Sequence, residues 1–416
     1  MKIKIEHASN PLNYGTNMMV TNFMYYLDKI SGENNIYLLD VKNNSDLKYY
    51  NYKKNNIYSQ IIDYNFINHK NLFDKVINKV KREYFFKYFN KRNIQKLINN
   101  CNCLVVLGGD DLSEYYGIEN LNRELNRLNY LKGKLDVYLI GQTIGPFYNE
   151  RILNASNSLN NIPIYSRDPW TTKYLKSKLK IKNVVESSDL AFLNLPNQND
   201  DSIKNNILNK YSIVDNEYIV LIPSGLYRSY CNDENLYIEN WCGIIEDLIK
   251  KYPEKKIVLL PHVLSPAEVD DRNIIRKLEN KIGYKSNIIY IYDEMTPLEA
   301  RFILGNSILS ITGRMHGAIS TLQMRKPTIS ISYSVKYKGV IGEGLDLNNL
   351  IVSGEDNEFW KNKIIKNNVH EKVEYILENY EEIILKIDKN VTKCEKRVYS
   401  MLETISDEIY SISNVK

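Results

Sequence analysis

The sequence predicts two doubly wound α/β domains facing a cleft, with a helical tail. Three observations predict it. Short apolar runs rich in β-branched residues alternate with helical periodicities through most of the chain. A polar break carrying Pro196 falls near the middle, and the alternation restarts after it. The last stretch repeats apolar residues at three- and four-residue spacing. At 416 residues the chain is also too long for one ordinary core.

Taken in order, Ile3 to His7 reads as a strand, Met18 to Leu27 as a helix and Ile36 to Asp40 as a second strand. Leu72 to Asn99 is charged and periodic, so it reads as helix, with Lys79-Val80-Lys81-Arg82 on its solvated face. The runs at Leu104, Val137 and Ile164 are further strands. The polar run Leu195 to Ser202 marks the boundary: 1–195 form the first domain, 196–204 a linker, 205–355 the second domain and 356–416 the tail. In the second half, Tyr218 to Ile222, Ile257 to Leu260, Ile288 to Ile291, Ile308 to Ile311 and Thr328 to Ser332 are strands, and Trp241 to Lys251 is a helix ended by Pro253. In the tail, Val373, Ile376, Leu377, Tyr380, Ile383, Ile384 and Ile387 make an apolar stripe that should pack across one or both domains.

Four strands end in polar turns. Ile308–Ile311 leads into Gly313-Arg314-Met315-His316-Gly317, followed by the helical spacing of Ala318, Ile319 and Leu322. Leu104–Leu107 leads into Gly108-Gly109-Asp110-Asp111, Val137–Ile140 into Gly141-Gln142-Thr143, and Ile164-Tyr165 into Ser166-Arg167-Asp168. In an open parallel sheet such turns lie at the carboxyl ends of the strands, where ligands bind. A helix N-terminus there favours an anion, an Arg fork matches phosphate or carboxylate, and a His can move a proton. His262, after Leu259-Leu260-Pro261, is another rim residue, balanced between ligand contact and helix capping. Asp111 is balanced between an acceptor contact and a helix cap. His7 reads as a packing residue, and His69 and His370 have no supporting context.

Composition excludes several classes. A formal charge of +5 is small for this length and does not argue for nucleic-acid binding, although weak attraction to an anionic membrane surface is compatible with it. The 33 Tyr sit within a general Asn-, Lys- and Ile-rich bias, so each is not a stacking platform. Cys101, Cys103, Cys231, Cys242 and Cys394 form neither a metal motif nor a disulfide framework, which fits a reducing cytoplasm. The first residues are not a signal peptide, and no run approaches the roughly 18 apolar residues of a membrane span. No metal site is expected: there is no paired-His motif, no calcium loop and no Cys–His set.

The rim motifs, in their order, resemble those of the polysaccharide pyruvyl transferases. The resemblance runs through Asn13-Tyr14-Gly15-Thr16-Asn17, Gly108-Gly109-Asp110, Gly141-Gln142-Thr143-Ile144-Gly145-Pro146, Ser166-Arg167-Asp168, Ser188-Asp189-Leu190-Ala191-Phe192, Arg314-Met315-His316-Gly317-Ala318 and Tyr333-Ser334-Val335-Lys336. Thr16 stands where the family often has an acid, and Thr143 where glycine is more usual. The resemblance implies a GT-B-like architecture. It also implies transfer of the enolpyruvyl group of phosphoenolpyruvate onto two hydroxyls of a sugar in a cell-surface polysaccharide or its precursor. A pyruvate ketal forms and phosphate leaves.

Several site assignments go with it. His316 and Asp110 are the expected catalytic pair. Arg314, Arg167, Lys336, Gly313 and His262 are expected around the donor, and Asp111, Asn17, Thr16 and Gln142 around the acceptor. Asp189 matches a family acid, but its apolar neighbours favour a structural role. No resident cofactor is implied, since phosphoenolpyruvate is a co-substrate. The partners are that donor and a sugar or lipid-linked saccharide, which would be met in the cytoplasm at the inner face of the membrane. The oligomeric state stays open. Two other readings remain: a GT-B-type glycosyltransferase using a nucleotide sugar, and a non-catalytic scaffold in envelope-polymer assembly.

Overall fold

The computed structural model describes residues 1–41, 43–50, 56–60 and 95–413. The helix expected over Leu72–Asn99 lies outside the described residues apart from its end, where residues 95–100 are helical. His69 and Lys79–Arg82 lie outside them as well.

Among the described residues, two wholly parallel sheets carry the fold. The first has seven strands: β1 (Lys2–Glu6), β2 (Ile36–Leu39), β3 (Ile57–Ser59), β4 (Cys103–Gly109), β5 (Asp136–Gln142), β6 (Ile164–Ser166) and β7 (Val184–Glu186). Their spatial order is β3-β2-β1-β4-β5-β6-β7. The second has six: β8 (Tyr218–Ile222), β9 (Lys256–Leu259), β10 (Ile288–Tyr290), β11 (Leu309–Thr312), β12 (Thr328–Ser332) and β13 (Ile351–Ser353). Their order is β10-β9-β8-β11-β12-β13. Central strands such as β8 and β12 are buried at every residue, which is why they read as unbroken apolar or small-residue runs. Register sets Ile3 beside Cys103 and Ile219 beside Leu309, so β8 and β11 end together, while β4 runs past the end of β1 to Gly109.

Helices cover both faces of each sheet. The longer ones in the first half are α1 (Tyr14–Ser31), α2 (Ile118–Leu131), α3 (Arg151–Leu159) and α4 (Pro169–Ser177). The second half has α5 (Asp201–Lys210), α6 (Glu234–Lys251), α7 (Asp271–Ile282), α8 (Pro297–Gly305) and α9 (Met315–Gln323). The tail holds α10 (Ile364–Glu378) and α11 (Tyr380–Ser413). The stretch 196–204 is a turn that runs into α5, whose first turn is capped by the Asp200 carboxylate on the Ser202 N–H at 2.9 Å. Among the described residues, no helix is long and apolar enough to cross a membrane.

Three segments join the halves. Met18 of α1 belongs to the core under the second sheet, while its neighbours Met19, Val20 and Phe23 belong to the first. The short turn Leu190–Phe192 divides in the same way: Leu190 faces the first core, Ala191 and Phe192 the second. The buried Arg301 of α8 fastens that turn by donating to the Ala191 and Leu193 carbonyls at 2.7 and 2.9 Å. The tail helix α11 lays Ile383, Ile387 and Val391 on the second core and Val398, Leu402 and Ile405 on the first. The expected stripe itself lies on the second core, through Val373, Ile376, Ile383 and Ile387, and the tail reaches the first core only beyond it.

Candidate active site

The strand order reverses between β1 and β4 and again between β8 and β11. At a reversal, successive connections leave on opposite faces of the sheet and a crevice opens at the carboxyl ends. A cavity of about 330 Å³ lies where the two crevices meet, lined from the first half by His7, Asn13, Thr16, Gly108–Asp111 and Arg167. From the second half come His262, Arg314, His316, Tyr333 and Lys336. The N-termini of α1 and α9 both point here, and Arg314 stands at the N-cap of α9 without a side-chain cap. The α9 N-terminus gives the cavity a positive end, whereas the first N–H groups of α1 are taken by the Asn13 side chain and the His262 carbonyl.

The cations on the second-half side are locked. Arg314 donates from Nε and Nη2 to Asp271 Oδ1 at 3.1 and 2.7 Å, and from Nη2 to the Val269 carbonyl at 2.8 Å. Asp271 is fully buried, and its other oxygen accepts the His262 and Val263 N–H groups, each at 2.9 Å. Burial opposes the Arg314 charge, but the Asp271 carboxylate outweighs it and raises the guanidinium pKa. Lys336 Nζ donates to Tyr333 Oη at 2.6 Å and sits 3.3 Å from Asp110 Oδ2 across the cavity. Burial opposes that charge too, and Asp110 more than restores it.

Asp189 is the knot between the halves. Its Oδ2 accepts from Arg167 Nη1 at 3.0 Å and lies 3.3 Å from His316 Nε2. Burial works against the carboxylate, yet His316 and Arg167 hold its pKa well below the usual range. Arg167 Nε donates to Thr143 Oγ1 at 2.9 Å, and Thr143 donates in turn to Asp168 Oδ2 at 2.8 Å. Asp168 caps α4 through the Thr171 N–H at 2.7 Å. The His316 ring lies against α1 so closely that a Cβ on Gly15 would stand 2.3 Å from its Cγ and Nδ1. Only glycine allows that approach. Buried His262 packs edge-on against Tyr14, with ring centroids 5.4 Å apart. Burial, then His316, Arg314 and Arg301, push its pKa well down, so it stays neutral.

A family model for polysaccharide pyruvyl transferases matches residues 13–335, more than half of the chain. This chain belongs to the polysaccharide pyruvyl transferase family. Its relatives include the amylovoran biosynthesis protein AmsJ of Erwinia amylovora, 23% identical over 286 residues. That match covers 67% of this chain and 66% of AmsJ, just under two thirds of the relative's length. Among solved structures, the UDP-GlcNAc 2-epimerase of Neisseria meningitidis is similar at a TM-score of 0.61 and 14% identity, covering 97% of this chain and 99% of that one. The S. aureus MnaA structure with UDP matches at 0.61 and 13%, covering 100% and 97%. A putative 2-epimerase from Listeria monocytogenes matches at 0.60 and 13%, covering 99% and 97%. At these identities the likeness shows the fold, which is the expected GT-B-like pair of parallel-sheet domains with a helical C-terminal region.

Set on this family's fold, the expected site residues fall into two groups. His316, Asp110, Arg314, Arg167, Lys336, His262, Asp111 and Thr16 all line the one cavity. Gly313, Asn17 and Gln142 are not among its lining residues. Gly313 lends its carbonyl to the Tyr230 and Tyr337 hydroxyls, the latter at 2.7 Å. Asn17 is turned inward and donates to the Pro11 and Tyr49 carbonyls at 3.2 and 2.9 Å. The Gln142 amide donates to the Val106 and Gly108 carbonyls at 3.1 and 3.3 Å. These three build the rim turns, because buried backbone oxygens there need donors. The Arg314 and Arg167 guanidiniums each give two of their three nitrogens to protein partners, which among the described residues leaves Nη1 of Arg314 and Nη2 of Arg167 over.

Asn13, Tyr333 and His7 line the cavity although the sequence reading gave them no site role. Asn13 caps α1 by accepting from the Gly15 N–H at 3.1 Å, and Tyr333 orients Lys336. His7, read as packing, lines the cavity in a left-handed conformation with φ 66°. A non-glycine residue with positive φ just past a strand is visible only in the folded backbone. Asp189, read as structural, has its apolar neighbours in the junction turn, and that turn carries its carboxylate to His316 and Arg167. Among the described residues, no group of three or more His, Cys, Asp or Glu is arranged to hold a metal ion. His370 lies away from the cavity and pairs with Glu374 at 3.4 Å.

Proposed function

We propose that this chain moves the enolpyruvyl group of phosphoenolpyruvate onto two hydroxyls of one sugar in a cell-surface polysaccharide or its precursor, forming a pyruvate ketal and releasing phosphate. The observation that carries this reading is the convergence of Arg314, Arg167, Lys336 and His316 on one cavity at two strand-order reversals. A small dianionic or trianionic donor needs several cations in a fixed array, and the paired Asp271, Asp189 and Asp110 fix this one in place. The leftover guanidinium nitrogens, Lys336 and the N-terminal N–H groups of α9 supply the donor contacts.

His316 gives its proton to the methylene carbon of the donor as a sugar oxygen attacks the neighbouring carbon. Asp189 orients the ring through Nε2. Asp110 accepts the proton of the attacking hydroxyl, and Lys336 holds that carboxylate in place. Thr16 and Asp111 face the acceptor. The relative named for amylovoran biosynthesis supports a saccharide acceptor, lipid-linked or free. No resident cofactor takes part in this scheme.

The test is incubation with phosphoenolpyruvate and a panel of saccharides, reading phosphate release and acceptor mass together. The expected product carries one pyruvate ketal per phosphate released. Consumption of a nucleotide sugar with release of a nucleoside diphosphate, and no phosphoenolpyruvate turnover, would overturn the reading in favour of a glycosyltransferase. Binding of neither donor would favour a scaffold.

A further inference from the structure

His7 is the most constrained residue in the cavity that the scheme above leaves idle. It follows β1 at the first strand-order reversal, and its φ of 66° is one that non-glycine residues adopt at a cost. Two anchors impose that conformation. The Asp40 carboxylate accepts the His7 N–H at 3.0 Å and the Ala8 N–H at 2.7 Å. His7 Nδ1 lies 2.9 Å from the Leu107 carbonyl and 3.0 Å from that of Gly108, at the end of β4. Two carbonyls can only accept, so Nδ1 carries a proton and donates.

Asp111 completes the group, with Oδ2 3.6 Å from the same nitrogen. Gly109 lies between them with φ 110°, and a Cβ on it would stand 2.5 Å from Asp111 Oδ2 and 3.6 Å from His7 Nδ1. The turn has room for this pair only because residue 109 has no side chain. The charged groups acting on His7 are Asp111 on the same rim, Glu124 from α2 and Asp40 from the end of β2. Burial disfavours its charge, but those carboxylates and the Gly108 carbonyl outweigh burial and raise its pKa to about 9. The ring is therefore cationic at neutral pH.

Ketal formation makes two separate proton demands. Two hydroxyls must each lose a proton. The first goes, in net terms, to the donor methylene carbon as the first C–O bond forms. The second is lost as the C–O bond to phosphate breaks and the ring-closing C–O bond forms, and it ends on phosphate. His316 with Asp189 and Asp110 serve the first exchange. We infer that Asp111, held by His7, is the base that takes the proton of the second hydroxyl during ring closure. Asp111 touches substrate in this scheme and His7 is a positioning residue that keeps the carboxylate aimed. The inference rests on the ketal-forming reading.

The experiment follows both half-reactions in the full-length protein with phosphoenolpyruvate and an acceptor that the unaltered protein converts. Asp111→Asn should lower ketal formation by about 10²-fold or more, the usual weight of a positioned base. In quenched reactions the open adduct, which still holds phosphate, should rise by mass spectrometry. His7→Gln should lower kcat about tenfold, an order typical of lost positioning, and leave the KM for phosphoenolpyruvate unchanged. Asp111→Asn turnover near that of the unaltered protein would overturn the inference alone, as would loss of adduct and ketal together. An unchanged kcat for His7→Gln, or a raised KM for phosphoenolpyruvate, would overturn the role of His7. Absence of any ketal from the unaltered protein would overturn this inference and the reading beneath it together.

Discussion

The two walls of the cavity hold charge in opposite ways. On the second-half wall, Arg314 is closed against a wholly buried Asp271, whose carboxylate is itself saturated by backbone N–H groups. On the first-half wall, away from the buried Arg167–Asp189 pair at the junction, Asp111 is half exposed and meets His7 at 3.6 Å through a strained turn. A locked array gives a small, invariant anion one geometry and needs no reorganisation when charge shifts during reaction. An open wall suits a partner that is larger and more variable. The contrast matches the proposed division of labour, with the donor on the rigid side and the saccharide on the open side.

The largest effect should fall where the walls meet. His316→Gln should lower turnover at saturating substrate by about 10²- to 10⁴-fold while the fold survives. Turnover near that of the unaltered protein would leave His316 a binding or structural residue and move attention to Asp110. Next, the locked wall should prove costly to breach. Arg314→Ala leaves the buried Asp271 carboxylate without its cation and should destabilise the protein by about 3–5 kcal/mol, as well as weaken donor binding. Asp111→Ala on the open wall should change stability by less than about 1 kcal/mol. Denaturant melts of the two variants compare the walls directly, and equal losses would erase the distinction.

Smaller effects sharpen it. Thr16→Ala should raise the acceptor KM by an amount worth about 1 kcal/mol and leave donor affinity by calorimetry unchanged. A change in donor affinity would place Thr16 on the wrong wall. The smallest effect is a pH dependence of stability. The folded pKa of His7 is raised from 6.5 to about 9, so its contribution is fully present below 6.5 and is lost as pH rises through about 9. Melting temperatures of the unaltered protein and His7→Gln should therefore converge across that window. A constant gap would mean that the imidazole is neutral in the native state.

Much of the architecture was legible because central parallel strands are buried on both faces. Tyr218–Ile222 and Thr328–Ser332 were read to the residue for that reason. The three-residue strands β3, β7 and β13 were not, since so short an edge strand has no periodicity to detect. The rim motifs located most of the cavity lining, because glycine, arginine and histidine after apolar runs leave a sequence trace. What they concealed was which motif residues face inward to satisfy backbone, as Asn17 and Gln142 do. The pairings were equally hidden. Asp271 lies 43 residues from Arg314 and Asp189 lies 127 from His316, and local pattern does not carry such distances. Thr143, a departure from the usual glycine, proves to be the link that fixes Arg167 to Asp168.

The 34-residue helix α11 spans about 50 Å at the usual rise, and its two ends are embedded in different halves. A straight helix is stiff along its length, so it acts as a splint across the junction. Any opening of the cavity must bend that splint, slide it, or pull one of its ends out of a core. Small sliding motions of packed helices are cheap compared with uncovering apolar side chains. Substrate entry is thus confined to a narrow range of relative movement, and the width of the mouth is set some distance away, by where the last helix of the chain grips each half.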